Sequence, residues 1–158
     1  MRSRVMNALV LMAATAIGLS GADNSIGTWN RNIQKSKYTP MPKNPIKNQT
    51  MVREAVDGGV KVTTKGERAD GTPINTTYTI KYDGTPATVS GTGSSVDTVA
   101  LTQSDANTCL IEMKKEGGKY HTTGSTVISK DGKTMTMTAG GTDADGKPID
   151  FIIVWDKQ

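Results

Sequence analysis

Residues 57–84 read DGGVKVTTKGERADGTPINTTYTIKYDG, and the fold is decided in that stretch. Val60, Val62 and Thr64 alternate with Lys61, Thr63 and Lys65; later Ile74, Thr76, Tyr78, Ile80 and Tyr82 alternate with Asn75, Thr77, Thr79 and Lys81. A period of two residues puts successive side chains on opposite faces of a strand, so each run offers one face to a core and one to water. Asp57-Gly58, Asp70-Gly71 and Asp83-Gly84 punctuate the runs. Such pairs are hairpin tips, because glycine takes positive φ without steric cost and aspartate bonds the backbone two residues on.

The same pattern extends in both directions. Residues 51–56 supply a partner run before the first tip, and 23–33 an opening strand around Gly27-Thr28-Trp29. Beyond 84, residues 86–89, 96–102, 108–115, 120–129, 134–139 and 149–155 are further runs, with 91–94 a flexible loop and tips at 104–107, 116–118, 131–132 and 145–146. No segment shows a helical period. The prediction is an all-β, antiparallel up-and-down meander of about 8–10 strands, neighbours in sequence pairing in space. Residues 66–74 (GERADGTPI) and 141–149 (GTDADGKPI) repeat one turn solution, with Asp70 and Asp145 expected to shape the turns and Pro73 and Pro148 to restart the strands.

A meander leaves its first and last strands as open edges, which template aggregation. Ile149, Phe151, Ile153 and Trp155 form the most apolar face of the chain, and Trp29 is the other tryptophan. Pairing the two ends closes the sheet and brings Trp29 and Trp155 to the closure of a barrel. Between Trp29 and the regular runs, residues 31–50 carry five basic side chains and Pro40, Pro42 and Pro45. Prolines so closely spaced exclude a helix or central strand, so 31–50 is expected to be a long basic loop, either a lid or a passive connection.

Residues 1–22 differ in composition: Arg2 and Arg4 precede an apolar run ending in Ser20-Gly21-Ala22. That is the pattern of a secretory signal peptide, and the run is shorter than the roughly 20 residues that span a bilayer. Residues 23–158 then form a single domain, secreted or periplasmic and without stable membrane insertion. Loss of Arg2 and Arg4 lowers the net charge from +4 to +2, too little to argue for a nucleic-acid partner. Cys109 is the only cysteine, so no intramolecular disulfide is available. It shares a face with Ile111 and Met113, which marks a buried, inert thiol.

Two resemblances enter on these residues. Gly27-Thr28-Trp29 on the first strand of a secreted all-β chain resembles the opening motif of the lipocalins and their calycin relatives. That resemblance implies an up-and-down barrel around a small-molecule cavity. The chain lacks a threonine-aspartate-tyrosine motif in its middle and an arginine near its C-terminus to pack over Trp29. The longer run of Gly27-Thr28-Trp29, Asn32 and Lys35-Ser36-Lys37-Tyr38, with the Ala-Asp-Gly-x-Pro-Ile turns and the closing Trp155-Asp156-Lys157-Gln158, resembles a group of uncharacterised secreted bacterial proteins, which implies no activity.

Catalytic patterns are scarce. One histidine, His121, and one cysteine do not make a usual zinc site, and no nucleophile stands beside a base in sequence. Asp143-Ala144-Asp145-Gly146 lacks the remaining ligands of a calcium loop. No enzyme, metal or cofactor is expected. The leading expectation is a barrel that binds a small, partly apolar molecule, with Trp29, Tyr78, Tyr82, Met135, Met137, Phe151 and Trp155 as candidate lining, all equally suited to a core. The alternative is a structural or protein-interaction module with a filled interior, and an unrecognised hydrolase is the least supported reading. A pocket of ~300 Å³ or more favours binding.

Overall fold

The computed structural model describes residues 23–158; the expected signal peptide lies outside the described residues. Eleven strands follow one another: β1 (Gly27–Thr39), β2 (Ile46–Val56), β3 (Gly59–Arg68), β4 (Pro73–Lys81), β5 (Ala87–Thr88), β6 (Ser90–Thr92), β7 (Thr98–Gln103), β8 (Thr108–Lys114), β9 (His121–Ile128), β10 (Thr134–Thr142) and β11 (Pro148–Lys157). All pair antiparallel in one sheet of order β5-β7-β8-β9-β10-β11-β1-β2-β3-β4-β6, a nearly closed barrel. No helix among the described residues is long and apolar enough to cross a membrane.

The chain ends close the sheet as the edge argument requires. β1 runs antiparallel to β11, with Trp29 opposite Lys157 and Arg31 opposite Trp155, so the two tryptophans stand one inward position apart. Both belong to the core cluster, and Trp29 is fully buried at 0% exposure. Its indole N–H donates to the Ser25 carbonyl at 2.8 Å, which satisfies the one polar atom that burial would otherwise strand. The Lys157 ammonium lies 5.1 Å from the Trp29 ring centroid, in the position for which the sequence offered no arginine. Gly27 makes this approach feasible: its φ is 130°, and a Cβ there would sit 2.8 Å from Lys157 Cε.

The barrel's weak seam lies elsewhere. β5 and β6, two and three residues long, end the sheet on opposite sides, so the chain crosses the seam within residues 87–92. The expected strand at 86–89 shrinks to β5, and the expected loop at 91–94 contributes Thr92 and Gly91 to β6. A bridge between Asp83 and Thr102 spans the gap between β4 and β7. Backbone bonds from Gly84 N–H to Leu101 O (2.8 Å) and from Gln103 N–H to Tyr82 O (3.1 Å) reinforce it.

The expected loop over 31–50 is corrected. β1 continues to Thr39 and β2 begins at Ile46, leaving only 40–45 as a connection that holds all three prolines. The lysines of 31–39 fit on β1 because its register with β11 shifts between Asn32 and Lys37. The extra residues bulge outward, where Ser36 Oγ donates to Asn32 O at 2.7 Å and accepts from Val154 N–H at 3.0 Å. The repeated turn is the same in backbone: Gly71 N–H bonds Arg68 O and Gly146 N–H bonds Asp143 O, each at 3.0 Å. Asp70 caps the first copy through Thr72 N–H, but Asp143 rather than Asp145 serves the second, accepting from Asp145 and Lys147 N–H.

Curvature is set where strands approach too closely for a side chain. A Cβ on Gly124 would lie 2.0 Å from the Thr138 carbonyl oxygen and 2.6 Å from Ala139 Cα across the β9–β10 ladder. Gly124→Ala is therefore expected to cost about 1 to 3 kcal/mol. Trp29→Ala and Trp155→Ala should each cost about 3 to 5 kcal/mol. Urea midpoints check all three, and unchanged midpoints in the tryptophan variants would refute end closure as the source of stability.

Candidate functional site

The barrel interior is divided. In the half near the 40–45 and 143–147 turns, side chains fill the space: Phe151 packs against Tyr38 with ring centroids 5.5 Å apart. The Arg31 guanidinium lies 5.5 Å from the Tyr38 centroid and 5.9 Å from that of Trp155. Arg31 also donates to Gln49 Oε1 at 3.0 Å and to the Tyr38 hydroxyl at 2.6 Å. This stack plugs the interior.

The other half holds a cavity of about 140 Å³. Its walls come from eight strands: Met51 and Arg53 on β2, Thr64 on β3, Tyr78 on β4, Val99 and Leu101 on β7, Cys109, Ile111 and Met113 on β8, Thr126 and Ile128 on β9, Met135 and Met137 on β10, and Trp155 on β11. Tyr78, Cys109, Ile111, Met113 and Met137 point inward yet stay half-buried because they border this space. Asp23, Ser25, Tyr82, Gln103 and residues 105–108 form its rim.

Five of the seven residues anticipated from sequence meet here: Tyr78, Tyr82, Met135, Met137 and Trp155. Trp29 and Phe151 fall outside the lining, in packed core at 0% and 4% exposure. Alternation identifies the inward face of a strand, but not the height at which the interior is filled. Arg53, Cys109 and Met113 line the cavity without having been singled out as lining by the sequence. The signal for Arg53 was present, since it shares Met51's parity on a strand whose Met51 face is buried.

The rim is a hydrogen-bonded network. Tyr82 donates to Asp23 Oδ2 at 2.7 Å and lies 3.1 Å from Ser25 Oγ, while Arg53 donates to the Tyr82 hydroxyl oxygen at 3.3 Å. Ser25 N–H donates to Asp23 Oδ1 at 2.9 Å. Burial works against ionisation of Asp23, but hydrogen bonds from Ser25 and Tyr82 and the charge of Arg53 outweigh it and hold the carboxyl below its ordinary value. Burial raises the Tyr82 and Tyr78 hydroxyls, so both remain O–H donors at neutral pH. Burial also raises the Cys109 thiol, which keeps it protonated and poorly nucleophilic.

His121 stands apart from this site. It is exposed, with Nε2 2.8 Å from Glu112 Oε1. It pairs with Lys114, whereas Cys109 pairs with Thr126 at the other end of the same ladder. At ~3.4 Å per residue the two lie about 17 Å apart along β8, so they do not form a nucleophile and base. Among the described residues no group of three or more His, Cys, Asp or Glu side chains is placed to hold a metal ion.

No family model matches the chain. No curated protein matches it. Among solved structures it is similar to EF1p2_mFAP2b bound to DFHBI, with TM-score 0.47 and 12% sequence identity, covering 87% of this chain and 96% of that one. It is similar also to a redesigned β-barrel, mFAP1, bound to DFHBI (TM-score 0.45, 11% identity, 85% and 95% covered). A third, the redesigned β-barrel mFAP0 bound to DFHBI, gives TM-score 0.42 and 12% identity over 85% and 99%.

The rim network has a pH signature. Because Asp23's folded pKa lies below the ordinary 3.8, its contribution to stability is present above that value and is lost as pH falls through the folded pKa. Asp23→Asn should flatten that part of the acid limb. Urea midpoints of both proteins between pH 2 and pH 6 check it, and parallel curves would show that the carboxylate contributes nothing.

Proposed function

We propose that the protein is a secreted or periplasmic, non-enzymatic binding protein of lipocalin-like architecture that holds a small, partly apolar molecule inside its barrel. The observation that carries this reading is the cavity, walled by methionines, aliphatic side chains and aromatic rings with polar groups gathered at one end. Apolar walls with a few convergent polar groups are the usual make-up of a ligand site. Its volume is below the ~300 Å³ of drug-sized sites and near the ~150 Å³ at which an engineered apolar cavity takes benzene. The ligand is therefore small, or only its apolar end enters.

The outward faces support solubility after the proposed cleavage before Asp23. Lys61, Lys65, Asn75, Thr77 and Thr79 are exposed on β3 and β4, where a membrane barrel would present an apolar band. The competing reading, a filled module that docks a macromolecule, draws on the plugged half of the barrel. Native mass spectrometry of protein purified undenatured from its own compartment separates the two. The expected outcome is a reproducible added mass that is lost on unfolding. An apo mass from every source, with no binding in a screen of small lipophiles, would sink the binding reading.

A further inference from the structure

Arg53 is the one charged side chain among the buried residues described, at 7% exposure, and it borders the cavity from the inward face of β2. It takes part in no ion pair among the described residues. Its single side-chain hydrogen bond goes to Tyr82 at 3.3 Å, and its Nε has no partner. A guanidinium keeps its charge at every physiological pH and presents five donors in a fixed fork. Burying it with one long hydrogen bond is costly, and an apolar side chain of similar volume would serve packing better. The Asp23 carboxylate at the rim acts on this charge through space without pairing with it, and an anion in the cavity that accepted the idle donors would offset the remaining cost.

We infer that Arg53 reads the carboxylate of the ligand, so that the molecule bound is a small monocarboxylic acid with an apolar ring or short chain. This rests on the binding reading above and refines it. A carboxylate accepts two parallel N–H bonds from a guanidinium, a geometry a lysine does not reproduce. Tyr78 borders the same space, and burial keeps its hydroxyl protonated as a donor, whereas the Tyr82 proton is committed to Asp23. Ile111, Met135 and Met137 supply the apolar wall for the rest of the molecule. Asp23 holds Tyr82 from the rim, and Arg53 donates to that hydroxyl only through Nη2, so Nη1 and the second Nη2 N–H are left for the headgroup.

Benzoate and benzyl alcohol share one ring and differ in the headgroup, so titrating each against the full mature chain by NMR tests the inference. Benzoate is expected to bind at least about 10-fold more tightly, the worth of a charge-assisted hydrogen bond. Arg53→Met should erase that preference while benzyl alcohol still binds, and Arg53→Lys should retain part of it. Equal or tighter binding of the alcohol by the unaltered protein overturns the inference and leaves the cavity reading standing, an outcome that needs no variant to fold. A preference that survives in Arg53→Met assigns the headgroup elsewhere and also overturns it. Binding of neither probe overturns both readings.

Discussion

The pairing of β1 with β11 is the constraint on which the remainder of the structure depends. It joins residues more than a hundred positions apart, and the loop entropy of that closure is recovered only when a large apolar area is buried with it. Trp29 supplies much of that area, with its indole N–H satisfied by Ser25 and its outer ring face covered by Lys157. The same segment turns the chain so that Asp23 and Ser25 reach the rim on the far side, against Tyr82. Closure and rim are thus built by one short piece of chain. Gly27 lets both happen, because any side chain there would displace Lys157.

Closure at β1–β11 moves the barrel's weak point to the β4–β7 seam, where Pro86 and Gly93 flank the two short strands β5 and β6. The interior follows the same division. The half nearer the 40–45 connection is filled by the Arg31 stack, and the half nearer the chain termini keeps the cavity. The two inward arginines illustrate the difference. Each leaves its Nε without a partner, but Arg31 is held by Gln49, Tyr38 and two ring faces, whereas Arg53 meets one tyrosine and a space.

Much of this is legible in the alternation of 57–84 and its neighbours. The hairpin tips, the inward faces of β3 and β4 and the repeated turn follow from local chemistry, since glycine φ and strand parity are properties of single residues and their neighbours, while the pairing of the two ends follows from open edges and the apolar face of 149–155. The departure of 31–50 from a loop has a local reason as well. Three prolines forbid central strand only where they stand, and a bulge between Asn32 and Lys37 lets β1 run up to them. The second turn's reliance on Asp143 is hidden in the repeat because the position matches Arg68 in the first copy, and the two copies share no residue there.

Periodicity and turn residues act at short range, so the all-β meander and the inward face of each strand are written in the chain, and the apolar last strand adds the joining of its ends. Which of those inward residues touch one another and which border open space is settled in the folded barrel alone. That outcome depends on strand stagger, on the bulge in β1 and on how far long side chains such as Arg31 and Trp155 reach across the interior. Arg53 shows the consequence. In the sequence it is one basic residue in a short run, and in the barrel it is a buried charge facing a cavity with donors to spare.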